Sequence, residues 1–127
     1  MCKNLAENMD ILNYEKIARL IEIVTGYSLT PAEVKFIGER IVNIERAYDV
    51  REGIRRVHDT LPRRFLEEPV SYGPSAPHVI ELEVMLDEYY EARGWDVKTG
   101  LPTKAKLLEL GLDFAAEELE KLGKLPR

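Results

Sequence analysis

The amino-acid sequence predicts a single all-α domain, an irregular helical bundle over residues 1–127. Apolar residues recur in several stretches at intervals near 3.6, which is the period of one face of an α-helix. Residue types that cap helices stand at the ends of these stretches. The chain has no internal repeat, and no alternation of apolar and polar residues lasts more than a few positions, so no β-strand is predicted.

The first predicted helix covers residues 14–25. Asn13 is expected to be its N-cap, because a side-chain oxygen there can accept from the free N–H groups of the first turn. Gly26 is expected to end the helix in the left-handed conformation. The apolar face of this helix consists of Ile17, Leu20, Ile21 and Val24.

The second helix has the strongest start signal in the chain. Thr30 as N-cap and Glu33 three residues later form a capping box, and Pro31 occupies the first helical position. Helical spacing continues through Val34, Ile37, Ile41 and Ile44.

Two further features of this second helix lead to expectations. Gly38 lies on the apolar stripe and is expected to permit close approach by another helix. The pattern loosens at residues 47–49, which predicts a kink or short break near Asp49 and a further helix to about His58.

The region from residue 61 to 77 is the least regular, because Pro62, Pro69, Pro74 and Pro77 forbid a long helix there. Only a short helix at residues 63–67 is expected. A third major helix is predicted over residues 79–93 and is ended by Gly94. Its stripe consists of Val79, Leu82, Leu86 and Tyr89.

Two short helices complete the predicted bundle. Thr103 caps the first, over residues 104–110, and Gly111 stops it. The second runs from residue 114 to about 122 and has Asp113 as its expected cap.

Composition excludes several classes of protein. A formal net charge of −5 repels phosphate backbones, so no nucleic-acid partner is expected, despite the helix–turn–helix appearance of residues 25–46. Apolar runs of only a few residues predict no membrane span, and the charged N-terminal residues predict no signal peptide. A single cysteine permits no internal disulfide, which favours the cytoplasm. The absence of glutamine and the many Glu, Lys and Arg residues are typical of thermophiles.

The residues themselves indicate no complete catalytic site. Cys2 has no partner cysteine, so any metal bound to it would need ligands from elsewhere. His78 and Glu81 have the i, i+3 spacing of a possible metal pair, but His78 stands at the predicted helix start, where it can serve the helix end. His58 and Asp59 could form a His–carboxylate pair, yet no nucleophile accompanies them.

Two larger groups of side chains favour a structural interpretation. The basic residues of the middle of the chain are interleaved with acidic ones, which is typical of a solvated, ion-paired face or of a packing surface rather than a phosphate site. Arg40, Arg46, Arg51, Arg55 and Arg56 belong to this group. The aromatic residues Tyr89, Tyr90 and Trp95 are more typical of a core or an interface than of a ligand site.

Several stretches in register resemble the C-terminal region of the tungsten-containing aldehyde ferredoxin oxidoreductase family. They are residues 25–26, 29–33, 37–46, 50–53, 59–62, 89–96, 99–103 and 108–112. Members of that family oxidise aldehydes to carboxylic acids, pass electrons to ferredoxin, and hold tungsten on two pterins beside a [4Fe–4S] cluster. The resemblance implies that this chain is a scaffold packed against the N-terminal cofactor domains of such an enzyme.

The resemblance also gives Cys2 a role. The family's fourth cluster cysteine ends a motif of the form Asp-x-x-Gly-Leu-Cys, and Cys2 resembles that ligand, with Met1 in place of Leu. The Asp and Gly of the motif are absent here, and Asp49 stands where the family has Asn. Since a cluster needs about four thiolates, no cofactor is expected in this chain alone.

Two interpretations of the whole chain follow. In the first it is the C-terminal domain or a fragment of a tungsten or molybdenum pterin enzyme of this family, inactive alone. In the second it is a stand-alone, non-catalytic interaction module derived from that domain. A homodimer through apolar N-terminal residues is a further expectation, balanced by a monomer in which that segment folds back. The residues concerned are Leu5, Met9, Ile11 and Leu12.

Overall fold

The computed structural model describes residues 13–126, and these residues form six α-helices and one 3₁₀ turn. The helices are α1 (Tyr14–Thr25), α2 (Pro31–Arg51), α3 (Arg63–Glu67), α4 (Leu82–Arg93), α5 (Lys104–Glu109) and α6 (Asp113–Lys121). The 3₁₀ turn, Arg56–His58, lies between α2 and α3. Residues 13–126 contain no β-strand, only an isolated bridge between Trp95 and Pro102, so the predicted all-α class is confirmed.

The described residues belong to two compact units. The first ends at Val42 and the second begins at Asn43, so that α2 contributes its first half to one unit and its second half to the other. Within residues 13–126 no helix is both long and apolar enough to cross a membrane.

The predicted ends of α1 are confirmed. The Asn13 side chain accepts from the backbone N–H of Lys16 at 2.9 Å. At the other end Gly26 has a φ of 77°, and its N–H donates to Glu22 O at 2.9 Å. A residue with a Cβ would be strained in this left-handed conformation, which is why glycine ends the helix.

The capping box that begins α2 is also confirmed. The Glu33 N–H donates to Thr30 Oγ1 at 3.2 Å, and the Thr30 N–H donates back to Glu33 Oε2 at 2.7 Å. The bonds from Thr30 place the pKa of the Glu33 carboxyl below its ordinary value. The box therefore satisfies two backbone donors at this end of the helix, the N–H groups of Thr30 and Glu33.

The predicted break near Asp49 is wrong, because α2 continues without interruption to Arg51. The helix ends later, where the N–H of Ile54 donates to Asp49 O at 2.9 Å and Gly53 adopts a φ of 105°. The chain beyond this point is too irregular for the predicted helix to His58 and forms only the 3₁₀ turn.

The buried face of α2 differs from the predicted stripe. Its buried residues are Asn43, Arg46, Ala47 and Val50. These positions have helical spacing, but Asn43 and Arg46 are polar, so the buried face does not coincide with the apolar stripe. Gly38 does not mark a close contact within the described part of the chain, because a Cβ added to it would meet no atom of residues 13–126 within 4 Å.

The start of α4 lies three residues later than predicted. The backbone N–H of Ile80 donates to Phe65 O at 3.0 Å, and that of Val70 donates to His78 O at 3.3 Å. These bonds hold residues 78–80 in an irregular segment, so helical bonding begins only at Leu82. The short helix α3 and the left-handed Gly94 that ends α4 are as predicted.

The core of the second unit is formed by α5, α6 and the second half of α2. It contains Ala47, Val50, Leu101, Leu107, Leu110, Leu112, Ala115, Ala116 and Leu119. Thr103 caps α5 as predicted, accepting from Lys106 N at 3.2 Å. Asp113 is the first residue of α6 rather than its cap, since the N–H of Ala116 donates to the backbone oxygen of Leu112.

Candidate functional site

A buried arginine on α2 is the centre of the most developed polar cluster in the second unit. The Arg46 side chain is 8% exposed and binds the Asp59 carboxylate with two nitrogens, Nη1 to Oδ1 at 2.9 Å and Nη2 to Oδ2 at 2.5 Å. Its Nε donates to Gly100 O at 2.9 Å. This two-pronged geometry is the strong form of an Arg–carboxylate pair.

Aromatic side chains from α4 and the turn after it complete the cluster. The Tyr90 hydroxyl donates to Asp59 Oδ2, and the Trp95 indole N–H donates to Asn43 Oδ1 at 2.8 Å. The Arg46 guanidinium carbon lies 5.0 Å from the centroid of a Trp95 ring, within cation–π distance. The cluster, defined as Asn43, Arg46, Asp59, Tyr90, Trp95 and Gly100, therefore joins three separate parts of the chain.

The close approach at Gly100 requires glycine. Its φ is 69°, and a Cβ at this position would lie 2.7 Å from Arg46 Nη2 and 3.0 Å from the Tyr90 hydroxyl oxygen. The Arg46 group cannot yield easily, because Asp59 binds it at two points. A glycine here is thus a condition for the buried ion pair.

The environment of the cluster lowers the pKa of Asp59 and raises the pKa of Tyr90. Burial acts to raise the pKa of Asp59, but the hydrogen bonds from Arg46 and Tyr90 and the positive charge of Arg46 outweigh it, so the pKa lies below its ordinary value. Burial, followed by the bond to the Asp59 carboxylate, raises the pKa of Tyr90 to about 12. At neutral pH Asp59 is therefore an anion and Tyr90 a neutral donor.

A cleft of about 680 Å³ lies beside the cluster, and Asp59 is part of its wall. Its lining also includes Thr60, Leu66, Ile80 and Lys98. Arg56 closes one side, where it donates to Val97 O at 2.8 Å and pairs with Glu83 at 2.5 Å. Chemically the ionised Asp59 can accept hydrogen bonds but cannot act as a general acid at neutral pH.

The candidate metal-binding and interface residues suggested by the sequence are only partly within the described structure. Cys2 and the apolar N-terminal residues Leu5, Met9, Ile11 and Leu12 lie outside the described residues. His78 and Glu81 do not share a helical face, because α4 begins only at Leu82. Within residues 13–126, no group of three or more His, Cys, Asp or Glu side chains is placed to hold a metal ion.

His58 and Asp59 are directed to different partners. The Arg55 N–H donates to His58 Nδ1 at 3.0 Å, within the 3₁₀ turn. Asp59 is bound instead by Arg46 and Tyr90. The pair suggested by the sequence is therefore replaced by the buried cluster.

Arg51 and Arg56 follow the predicted ion-paired pattern, and Arg46 follows the predicted alternative of a packing surface. Arg51 pairs with Glu52 at 2.9 Å, and Arg56 pairs with Asp87 at 2.6 Å. Arg46 is the buried member of this group, because it lies on the buried face of α2. The available signal was its spacing from Asn43, Ala47 and Val50, which together form one helical stripe.

Comparison with known proteins gives consistent matches. The family model described as aldehyde ferredoxin oxidoreductase, domains 2 & 3, matches residues 1–112. The tungsten-containing aldehyde ferredoxin oxidoreductase of Pyrococcus furiosus is 43% identical over 94 residues, which cover 73% of this chain and 15% of the relative. The enzyme of the same name from Thermococcus kodakarensis is 39% identical over 94 residues, with the same two shares.

A solved structure has the same fold. It is a chain of the active site complex BamBC of benzoyl coenzyme A reductase in complex with 1,5-dienoyl-CoA, with a TM-score of 0.70 and 26% identity. The match covers 91% of this chain and 16% of that one. The chain thus spans about 15% of the length of the curated relatives it matches and a similar share of the solved structure.

Proposed function

Because the chain belongs to the aldehyde ferredoxin oxidoreductase family, we propose that it is the C-terminal part of an enzyme that oxidises aldehydes to carboxylic acids. In this reaction an aldehyde and water give a carboxylic acid, two protons and two electrons, and ferredoxin accepts the electrons one at a time. The observation that carries the proposal is the family match over residues 1–112. The curated relatives, which are named tungsten-containing aldehyde ferredoxin oxidoreductases, support it.

The proposal assigns this chain a scaffolding role in the cytoplasm. Residues 1–127 are proposed to be one helical part that packs against the N-terminal cofactor domains and helps to wall the route to the tungsten–pterin centre. The buried cluster supports this role, because its polar side chains are paired with one another and hold three parts of the chain together. Ferredoxin is proposed as the redox partner of the whole enzyme.

The proposal for Cys2 concerns the iron–sulfur cluster. A [4Fe–4S] cluster requires about four thiolates, and this chain has one cysteine. Its own residues therefore do not fit the cluster alone, and the other three ligands are proposed to come from the rest of the enzyme. Cys2 would supply one thiolate, while the cluster would carry electrons one at a time.

Metal content and activity of the protein isolated from its natural source test the proposal. We expect tungsten or molybdenum, about four iron atoms per protein, and aldehyde-dependent reduction of ferredoxin. A Cys2→Ser variant should lose the cluster's electron paramagnetic resonance signal, whereas a Ser28→Ala variant, changed at an exposed loop residue, should keep it. Native protein without tungsten, molybdenum and iron would overturn the assignment.

A further inference from the structure

The apolar side of α1 is only partly covered in the first unit. The sequence predicts Ile17, Leu20, Ile21 and Val24 as a core-facing stripe, yet Leu20 is 44% exposed and Val24 is 79% exposed. Ile17 and Ile21 are only half-buried. Ala18 is the one residue of α1 that is buried. The stripe therefore has the composition of a packing surface and lacks the cover that such a surface requires.

The first half of α2 shows the same mismatch. Val34, Ile37 and Ile41 are spaced as one helical face, but Ile37 is 41% exposed and Ile41 is 50% exposed. In the second unit, by contrast, nine apolar residues form a well-buried core. Among residues 13–42 Ala18 is the one buried apolar residue, so this part of the chain has no comparable core, although the second unit also has exposed apolar side chains such as Val84 and Phe114.

The charge on the other side of α1 helps to identify what covers the stripe. Its polar side carries Glu15, Lys16, Arg19 and Glu22, and Arg19 pairs with Glu22 at 2.5 Å. Two positive and two negative charges cancel, whereas a helix that binds anionic lipid has an excess of Lys and Arg. A protein surface fits this helix better than a membrane does.

The lengths of the relatives indicate which protein surface this is. In the Pyrococcus furiosus relative the matching stretch is 15% of the polypeptide, and in the solved structure of the same fold it is 16% of the chain. In both proteins most of the polypeptide lies outside the matching stretch. An apolar surface left uncovered by residues 13–126 therefore has a covering surface available in an enzyme of this family.

We infer that the apolar side of α1, formed by Ile17, Leu20, Ile21 and Val24, is the docking surface for the part of an aldehyde ferredoxin oxidoreductase that lies outside this chain. The contact is apolar and buries the stripe, which removes surface that a free monomer would expose to water. This inference rests on the proposed function, because the enzyme of that family supplies the covering surface.

A pair of substitutions on α1 in the 127-residue chain tests whether the stripe is free. Val24→Asp should leave the melting temperature within about 2 °C of wild type, because the side chain already faces solvent. The matched control is Ala18→Asp, which places a charge at a position only 6% exposed and should lower the melting temperature by at least about 5 °C. An equal loss in both variants would overturn the inference, since it would show that this chain or a second copy covers the stripe.

Cross-linking in the protein isolated from its natural source tests what covers the stripe. Lys16 and Lys35 are exposed on α1 and α2 and serve as attachment points for an amine-reactive cross-linker. We expect mass spectrometry to find them joined to peptides that are absent from this sequence. Cross-links confined to this sequence, between copies or within one, would overturn the inference.

Metal content and cross-links measured on the same sample distinguish failure of this inference from failure of the proposed function. Tungsten present with cross-links confined to this sequence would leave the proposed function standing and reject the docking surface. Cross-links to peptides absent from this sequence, in a protein without tungsten, molybdenum and iron, would reject both the docking surface and the proposed function, because the covering protein would then not be an enzyme of this family.

Discussion

At the scale of single residues, the Arg46–Asp59 pair is the centre of the buried polar cluster of the second unit. The pair is largely buried, and its two partners lie 13 residues apart in the sequence. Tyr90 also binds Asp59, and Gly100 also binds Arg46. A buried pair is not in itself a large source of stability, because desolvation offsets much of the attraction. Removal of one partner is costly, however, since it leaves the other charge uncompensated.

The first prediction concerns Asp59→Asn. The substitution leaves the Arg46 charge without a counterion and should lower the free energy of unfolding at pH 7 by about 3 kcal/mol, measured by urea denaturation. The control is Glu67→Gln, which removes the partner of Arg63 in a pair whose side chains are 85% and 56% exposed. That exposed pair should contribute at most about 1 kcal/mol, so equal losses in the two variants would contradict the account.

The pH dependence of the same variant has a defined sign. Because the pKa of Asp59 is lowered in the folded state, its contribution is present above the unfolded pKa of about 4 and is lost as pH falls through the folded value. The difference between wild type and Asp59→Asn should therefore shrink below about pH 4. A difference that stays constant down to pH 2 would exclude Asp59 ionisation as its source.

The second prediction concerns Tyr90 at alkaline pH. Its pKa is raised to about 12, so its contribution is complete below the unfolded value of about 10 and is lost as pH rises from there through the folded value. Wild type should lose stability over this interval, and Tyr90→Phe should lose less. Tyr27→Phe, at an exposed tyrosine, is the control and should follow wild type. Parallel curves for all three proteins would argue against the Tyr90–Asp59 bond.

The third prediction compares two glycines with similar backbones. Gly100→Ala and Gly111→Ala both place a Cβ at positive φ, 69° and 64°, but only the first meets other atoms within 4 Å. Both should suffer the left-handed strain of roughly 1 kcal/mol, and Gly100→Ala should lose about 1–3 kcal/mol more through overpacking. Similar thermal stabilities would show that Arg46 and Tyr90 move aside freely.

At the scale of elements, local signals determined what could be predicted. Caps located the start of α1 at Asn13 and of α2 at Thr30, since a cap bond forms within one turn and needs no distant partner. The start of α4 was missed because the backbone of residues 78–80 bonds to Phe65 and Val70, which are distant in sequence. Tertiary bonding of this kind leaves no periodic signal.

The candidate site was harder to predict for the same reason. The spacing of Asn43, Arg46, Ala47 and Val50 indicates a buried face, but the charged residues around Arg46 are typical of either a solvated face or a packing surface. That Arg46 meets Asp59 and Gly100 depends on long-range folding, which no local pattern encodes. The aromatic group Tyr89, Tyr90 and Trp95 was recognised as a packed cluster, and its rings do pack together.

The fourth prediction belongs to this scale and concerns the capping box of α2. Thr30→Ala removes the acceptor of the Glu33 N–H and should lower the free energy of unfolding by about 1 kcal/mol. Ser28→Ala, in the same exposed loop, is the control and should change little. Thermal denaturation followed by circular dichroism measures both, and an unchanged midpoint for Thr30→Ala would show that the box does not stabilise the helix.

At the scale of the whole molecule, the two units differ in how their apolar residues are used. The second unit buries a continuous core, whereas Ala18 is the one buried apolar residue among residues 13–42, and both units carry exposed apolar side chains. The length of the relatives explains this difference. The chain matches only about 15% of their length, and the rest of each relative is further surface against which apolar side chains can pack. The composition, the helical fold and the family match are consistent with one part of a larger oxidoreductase.

The fifth prediction and the most direct test of this account is the intact mass of the polypeptide isolated from its natural source, measured together with its tungsten content. We predict either a polypeptide several times heavier than the 14.6 kDa of this chain or a stable complex of that size, with bound tungsten or molybdenum. A free polypeptide of 14.6 kDa that carries neither metal and copurifies with no larger protein would contradict the central claim.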